Sequence, residues 1–295
     1  MIKNDLYKTA ICIGKFDAMH IGHDKLFKKT IEISKKYNLS PLLYVIGSSF
    51  SLISKEDLIF KAKKIGFEKV VIKELTNDFK SMTKEEFFDK CLKEELNAKA
   101  VIVGYNFRFG KERYADAIDL KELCEKNDVL SFIVDEVRAK DSFGKIKTVS
   151  STTIRNYLED GDVKSANSFL GYNYYIKGKI THGKKIGTSL GFPTANIADY
   201  DMKMILKNGV YATKTTIDSK TYLSITNVGK KPTVKNDDVV NTETFIIDFK
   251  GDIYEEEIKV EFIKKIRDEI KFESLEDLKY QISKDVLYVK EECEF

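Results

Sequence analysis

Histidine is rare in this chain, cysteines are few and scattered, net charge is small and long apolar runs are missing. Each shortage removes a class of function. The four cysteines, Cys12, Cys91, Cys124 and Cys293, form no CxxC pair. With so few histidines as partners, that spacing offers no structural zinc site. Free buried thiols in a reducing cytosol are the reading that remains. The 50 basic and 47 acidic side chains leave a formal charge of +3. An open nucleic-acid platform needs a strongly basic face, so no nucleic acid is expected as a partner, although local lysine groups can hold small polyanions. No apolar run reaches the ~18 residues of a membrane span, and the opening "MIKNDLYKTA" has no apolar signal core. The expectation is a soluble, cytoplasmic protein with no membrane and no obligatory protein partner.

What is present suffices for a sizeable core. The 295 residues are 42% hydrophobic and 33% charged, and that length suggests about two domains. Two patterns divide the chain. In the first half, β-rich runs ("TAICIG", "PLLYVIG", "EKVVIKEL", "AKAVIVG", "VLSFIVDEV") alternate with helical patterns over Ile21–Tyr37, Lys55–Ile65, Lys84–Leu96 and Asp116–Lys126. Thr83 and Glu86 form a capping box at the start of the third. Near-continuous apolar strands separated by helices predict an α/β domain, a parallel sheet covered on both faces. Such sheets bind ligands beyond the carboxyl ends of their strands.

After about Gly171 the helices stop. "YNYYIKGKIT", "NGVYATKTTI", "KTYLSITNVG", "NTETFIIDFK" and "EEIKVEFIKKI" follow one another with turns between, which predicts an antiparallel barrel or sandwich. A closing helix begins at a Ser274 cap and carries Leu275, Leu278, Ile282 and Val286 on one face. The division falls at 1–170 and 171–295.

Two of the three histidines sit in "GKFDAMHIGHDKLFKK", residues 14–29. Gly14 lets the first strand turn abruptly, and a helix starts near Ile21, so His20 and His23 lie about a helix N-terminus at the carboxyl edge of the sheet. Free N–H groups and the positive dipole end suit that place to an anion. Gly22 leaves room for a phosphate against the backbone, and imidazoles there can donate to oxygens that gain charge in phosphoryl transfer. In "SSTTIR", Ser151 can cap a helix while Arg155 projects from the same first turn with a forked donor for phosphate. In "FPTAN", Thr194 and Asn196 offer two oxygens on one side of an extended chain, a set that magnesium accepts sparingly while keeping water and nucleotide oxygens. "THGKKIG" can wrap phosphates with backbone N–H groups, helped by Lys184 and Lys185.

Together these stretches resemble the bacterial bifunctional riboflavin kinase/FAD synthetase family over nearly the whole chain. "HIGH" matches the HxGH signature of nucleotidyltransferases, "YNFRFG" the DFRFG segment of FAD synthetases, "VSSTTIR" their ISSTxIR motif, and "LGFPTANI" the PTAN motif of riboflavin kinases. The resemblance implies an N-terminal Rossmann-like nucleotidyltransferase domain followed by a kinase barrel. It implies that His20, His23 and Arg155 serve adenylyl transfer and that Glu243, in "NTETFIIDF", is the kinase base. It places ATP on Gly14, Phe16, Asp17, Gly22, Asn106, Phe107, Arg108, Ser150, Ser151, Thr152, Gly183, Lys184, Lys185 and Gly187. Arg267, Glu269 and Phe272 become flavin contacts, and Thr194 and Asn196 ligands of Mg2+ held with ATP. The implied reactions convert riboflavin to FMN, then FMN to FAD and pyrophosphate. Alternatives are a chain with one decayed site, a flavin-binding regulator, or a nucleotidyltransferase acting on nucleic acid, which the balanced charge disfavours. The chain departs from the family pattern at Ala18 and Met19, at "GSSFSLISK" where a P-H-P stretch is usual, at Asn106 for aspartate, at Thr188 for arginine, and at Tyr254-Glu255-Glu256 for YGE.

Overall fold

The computed structural model describes residues 7–47, 52–181, 191–198, 205–230, 240–251, 253 and 255–293. "SSFS" of the departing stretch, Tyr254, and the phosphate-loop residues Gly183, Lys184, Lys185, Gly187 and Thr188 lie outside them. The chain forms two compact units, Met1–Arg138 and Ala139–Phe295.

In the first unit, strands β1 (Thr9–Gly14), β2 (Ser40–Ile46), β3 (Lys69–Lys73), β4 (Ala98–Gly104) and β5 (Leu130–Val134) pair in the order β3-β2-β1-β4-β5. Every pairing is parallel. The apolar runs arise because both faces are covered. Ile11, Ile13, Leu42, Tyr44, Val101 and Val103 bury one face against Phe88, Cys91, Leu92 and Leu120. The alternate residues Ala10, Cys12, Leu43, Val45, Ala100 and Ile102 bury the other against Phe27, Ile33, Leu58 and Ala62. Helices α1 (Ile21–Tyr37) and α2 (Lys55–Ile65) follow the expected bounds. The third helix does not. The Thr83–Glu86 capping box forms, but after one α turn, Lys84–Glu86, the chain runs as a π-helix over Phe87–Glu95. That wider winding still buries Phe87, Phe88, Cys91 and Leu92. Helix α3 (Ala117–Lys126) is capped by Asp116.

The second unit opens with a short hairpin and helices α4 (Ser151–Asp160) and α5 (Val163–Leu170). Six strands follow: β6 (Tyr175–Thr181), β7 (Thr194–Ala198), β8 (Gly209–Ile217), β9 (Lys220–Lys230), β10 (Val240–Ile246) and β11 (Glu257–Arg267). They close an antiparallel barrel in the order β6-β7-β10-β9-β8-β11. Strand β7, the "TANIA" stretch, is one the turn-and-strand pattern did not separate out. The barrel interior carries hydroxyls: Thr213, Thr215, Ser224, Thr226 and Thr244 are fully buried. Thr213 bonds Ser224 and Thr226 at 2.8 Å each, and Thr226 bonds Thr244 at 2.9 Å. Each hydroxyl can donate and accept, so such a chain satisfies itself without water. Helix α6 (Leu275–Glu292) packs Val289 onto Val210, Ala212 and Ile225 on the outer face. Its Ser274 cap forms as expected, accepting from Asp277 N–H. Leu275, expected on the buried stripe, is instead 55% exposed: it is the first helical residue, where the helix has only begun to meet the barrel.

Candidate functional sites

Strand β1 has β2 on one side and β4 on the other, so the chain reverses its winding between β1 and β4, the place where open α/β sheets bind ligands. The HIGH turn leaves β1 there, and the "YNFRFG" turn leaves β4. A Cβ on Gly14 would lie 2.8 Å from the Phe16 ring, so only glycine lets that ring fold back over the strand end. Phe16 takes a left-handed backbone, φ 48, and is fully buried. It meets His23 edge-on at 5.0 Å. Asp17 is buried beside the turn, and Leu52 N–H donates to its carbonyl at 2.6 Å.

His20 is the N-cap of α1, and its Nδ1 accepts from His23 N–H at 3.3 Å. Within a neutral imidazole that leaves the proton on Nε2, which becomes a donor. The His20 and His23 rings stack at 3.6 Å, 13° from parallel. Burial pulls His20 down to about 4, opposed by the negative charge of Asp17. His23 is held well below its usual range by burial first and by His20 second. Both are therefore neutral near pH 7, at the N-terminus of α1, where the N–H groups of His23 and Asp24 already donate to the His20 carbonyl at 2.7 and 3.2 Å. At the end of β4, Asn106 and Arg108 are exposed, and Arg108 faces Asp116 at 3.5 Å. Phe107 stacks on Phe109 at 5.5 Å.

Ser150, Ser151, Thr152 and Arg155 belong to the second compact unit. The cap of α4 is Ser150, not Ser151: Ser150 has the extended backbone a cap needs, and its Oγ accepts from Thr153 N–H at 3.1 Å. Ser151 is already helical, so Arg155 stands at the start of the second turn rather than in the first.

The barrel builds a second site. One lateral row of directly opposite residues runs round all six strands: Thr181, Asn196, Glu243, Asn227, Val210, Arg267. Directly opposed residues on antiparallel strands sit about 5 Å apart, so register alone gathers side chains distant in sequence. Between this outer face and α6 lies a cavity of about 310 Å³. Thr194, Asn227, Glu243, Arg267, Glu269 and Asp285 give its polar wall, and Ile225, Phe245, Ile270, Phe272, Leu278 and Ile282 are among its apolar ones. Arg267 donates to the buried Asp285 from Nε at 3.0 Å and from Nη2 at 2.8 Å, while Gln281 also donates to Asp285 at 2.9 Å. Arg267 lies 5.9 Å from the Phe272 ring centroid.

The structure thus brings Thr194, Glu243, Arg267, Glu269 and Phe272 to one cavity, with Asn196 directly beside Glu243. Sequence reasoning missed Asn227 and Asp285. Asp285 had a signal: it continues the spacing of Leu278 and Ile282 and puts a charge on an apolar stripe. Asn227 had none short of the register. As a cation site, Thr194 and Asn196 supply neutral oxygens two residues apart on one face, with the Glu243 carboxylate opposite Asn196. Among the described residues no cluster of three His, Cys, Asp or Glu forms a cage. This sparse oxygen set fits a hard cation that keeps nucleotide and water oxygens.

A family model described as FAD synthetase matches residues 2–153, and one described as Riboflavin kinase matches residues 170–293. The chain is 31% identical over 302 residues to the Bifunctional riboflavin kinase/FMN adenylyltransferase of Buchnera aphidicola, covering 98% of this chain and 95% of that protein. It is 30% identical to the protein of the same name from Bacillus subtilis, covering 97% and 92%. Among solved structures, a Streptococcus pneumoniae protein described as a macrolide-efflux protein superposes with a TM-score of 0.86 at 29% identity, covering 96% of this chain and 94% of that one. No helix of the described residues here is long and apolar enough to cross a membrane.

Proposed function

The chain belongs to the bifunctional riboflavin kinase/FMN adenylyltransferase family, and on that premise we propose which of its residues carry the two reactions. The enzyme phosphorylates riboflavin to FMN and adenylylates FMN to FAD. Both steps use ATP with a divalent cation, which we assign as Mg2+.

The observation that carries the kinase assignment is the Asn196–Glu243–Asn227 row beside the cavity under α6. The flavin ring fits the apolar part of that cavity, against Ile225 and Phe272, with Arg267 and Glu269 at its polar edge. Glu243 accepts the proton of the terminal ribityl hydroxyl as its oxygen attacks the γ-phosphorus of ATP. The new O–P bond forms as the bond to the β-phosphate oxygen breaks, and ADP leaves. Thr194 and Asn196 hold the Mg2+, which when bound offsets charge on the transferring group. Gly183, Lys184, Lys185 and Gly187 are assigned to the ATP phosphates on the motif alone.

In the adenylyl step the FMN phosphate attacks the α-phosphorus of a second ATP, and pyrophosphate leaves. Neutral His20, donating from Nε2, and His23 stabilise the oxygens that gain charge. Gly14, Phe16, Asp17 and Gly22 shape the turn around the nucleotide. Asn106, Phe107 and Arg108 are assigned to the nucleotide from the turn after β4, and Ser150, Ser151, Thr152 and Arg155 on the motif alone. Neither step needs a covalent enzyme intermediate, because each nucleophile is already on the substrate.

We place the functional boundary at 170/171. The start of the riboflavin kinase match at residue 170 supports it, although the compact units divide at 138/139 and α5 packs with the barrel unit: Asn167 Nδ2 donates to Phe262 O at 2.8 Å. A cytoplasmic location fits the four free, buried cysteines. The test is to incubate the purified chain with riboflavin, ATP and Mg2+. FAD should accumulate; FMN alone would mean the adenylyl site is inactive, and no product would overturn the assignment.

A further inference from the structure

Three side-chain amides surround Glu243, and they are not equivalent. Asn196 and Asn227 are its opposite neighbours on the two flanking strands. Asn196 carries the cation role proposed above, and Asn227 turns its Nδ2 to Glu269 Oε1 at 3.4 Å. Asn241 stands two residues before Glu243 on the same strand, hence on the same face. Its Nδ2 donates to Glu243 Oε1 at 2.8 Å. An ionised carboxylate only accepts, so the amide must present its NH2 here.

We propose that Asn241 is a positioning residue for the kinase step, holding one oxygen of Glu243 so that the other is aimed at the flavin hydroxyl. The inference rests on the assignment of Glu243 as base. A glutamate on an open strand face has several staggered rotamers available. A hydrogen bond to an ionised acceptor is roughly twice as strong as a neutral one, enough to favour one of them before substrate arrives. Asn241 faces Gly229 across the β9–β10 pair, so its directly opposite residue brings no side chain of its own. The space a Gly229 side chain would fill is taken by Glu269 Oε1 instead. Asn241 is not among the residues lining the cavity, whereas Glu243 is. Its effect on the reaction therefore passes through the carboxylate and not through the flavin.

This arrangement makes a kinetic claim. Proton transfer requires the base within hydrogen-bond reach of the hydroxyl in the attacking geometry, and a misplacement of about 1 Å can cost about a hundredfold. Substrate binding, set by the cavity walls, should be untouched. Asn241→Ala should lower kcat for FMN formation about tenfold or more, with KM for riboflavin and for ATP close to wild type. Because both residues act as a unit, Asn241→Ala should add nothing in a Glu243→Gln background. FAD formation from supplied FMN, carried by the other domain, serves as the control for a folded chain. Wild-type kcat in Asn241→Ala while Glu243→Gln has lost the kinase would overturn the role of Asn241 and leave the base in place. Wild-type kcat in Glu243→Gln would overturn the base assignment itself. A raised KM or lowered melting temperature with unchanged kcat would show Asn241 to be structural and would also overturn the proposal.

Discussion

Asn196 and Glu243 stand directly opposite one another on neighbouring antiparallel strands of the barrel, which puts a neutral oxygen donor for the cation beside the carboxylate assigned as base. In the proposed assignment the pair joins phosphate binding to proton removal in one lateral row. Glu243→Gln keeps the shape and removes the basic oxygen. It should cut FMN formation from riboflavin by about a hundredfold or more, while FAD formation from supplied FMN is unchanged. Separate assays of the two half-reactions check this; an equal loss in both would refute two independent sites.

At the HIGH turn, the expectation runs the other way. His20→Ala with His23→Ala should lower FAD formation by about a hundredfold or more, the cost of losing preorganised donors. FMN should still form from riboflavin and then accumulate. Adenylyl transfer near the wild-type rate would remove both histidines from the mechanism.

Acid should loosen the first unit through the same pair. Unfolded imidazoles take up protons near pH 6.5, whereas folded His20 does so only near about 4, because it is buried. Between those values the unfolded chain binds more protons, so stability falls as pH drops through that window and the loss is complete below it. His20 alone contributes about 3 kcal/mol of that loss. His23, also held low by burial, adds in the same direction. Thermal melts should therefore fall between pH 6.5 and 4, and fall less in a variant with both histidines changed to asparagine. Equal slopes in the two proteins would contradict the burial argument.

Asp285 is 3% exposed and receives Arg267 and Gln281 together. Asp285→Ala leaves the guanidinium without its carboxylate in a mostly buried place, a change that costs about 3–5 kcal/mol. Urea denaturation followed by barrel signals should shift by that order, and riboflavin should bind more weakly because α6 closes the cavity. A shift below about 1 kcal/mol would mean that Arg267 finds another partner.

Much of this enzyme was legible in the linear chain, for physical reasons. Strand–helix alternation with all-apolar strands requires a two-faced parallel sheet, and Ile11 and Cys12, adjacent in sequence, do face opposite cores. HIGH after a β-strand placed two imidazoles at a helix N-terminus because local chain geometry decides that within a few residues. The capping box at Thr83 is equally local, and it forms.

Tertiary structure decided the rest, where the outcome depends on partners distant in sequence. Whether Ser150 or Ser151 capped α4 depended on which residue the preceding hairpin left extended. The π-helical winding after Glu86 has no signature in spacing, because its ring of contacts is made by packing. Above all, the proposed kinase site is a consequence of register. A slip of one residue between β9 and β10 would turn Asn227 or Glu243 to the opposite face. No stretch of sequence contains the row Asn196, Glu243, Asn227, Val210, Arg267; it exists only once hydrogen bonding has closed the barrel.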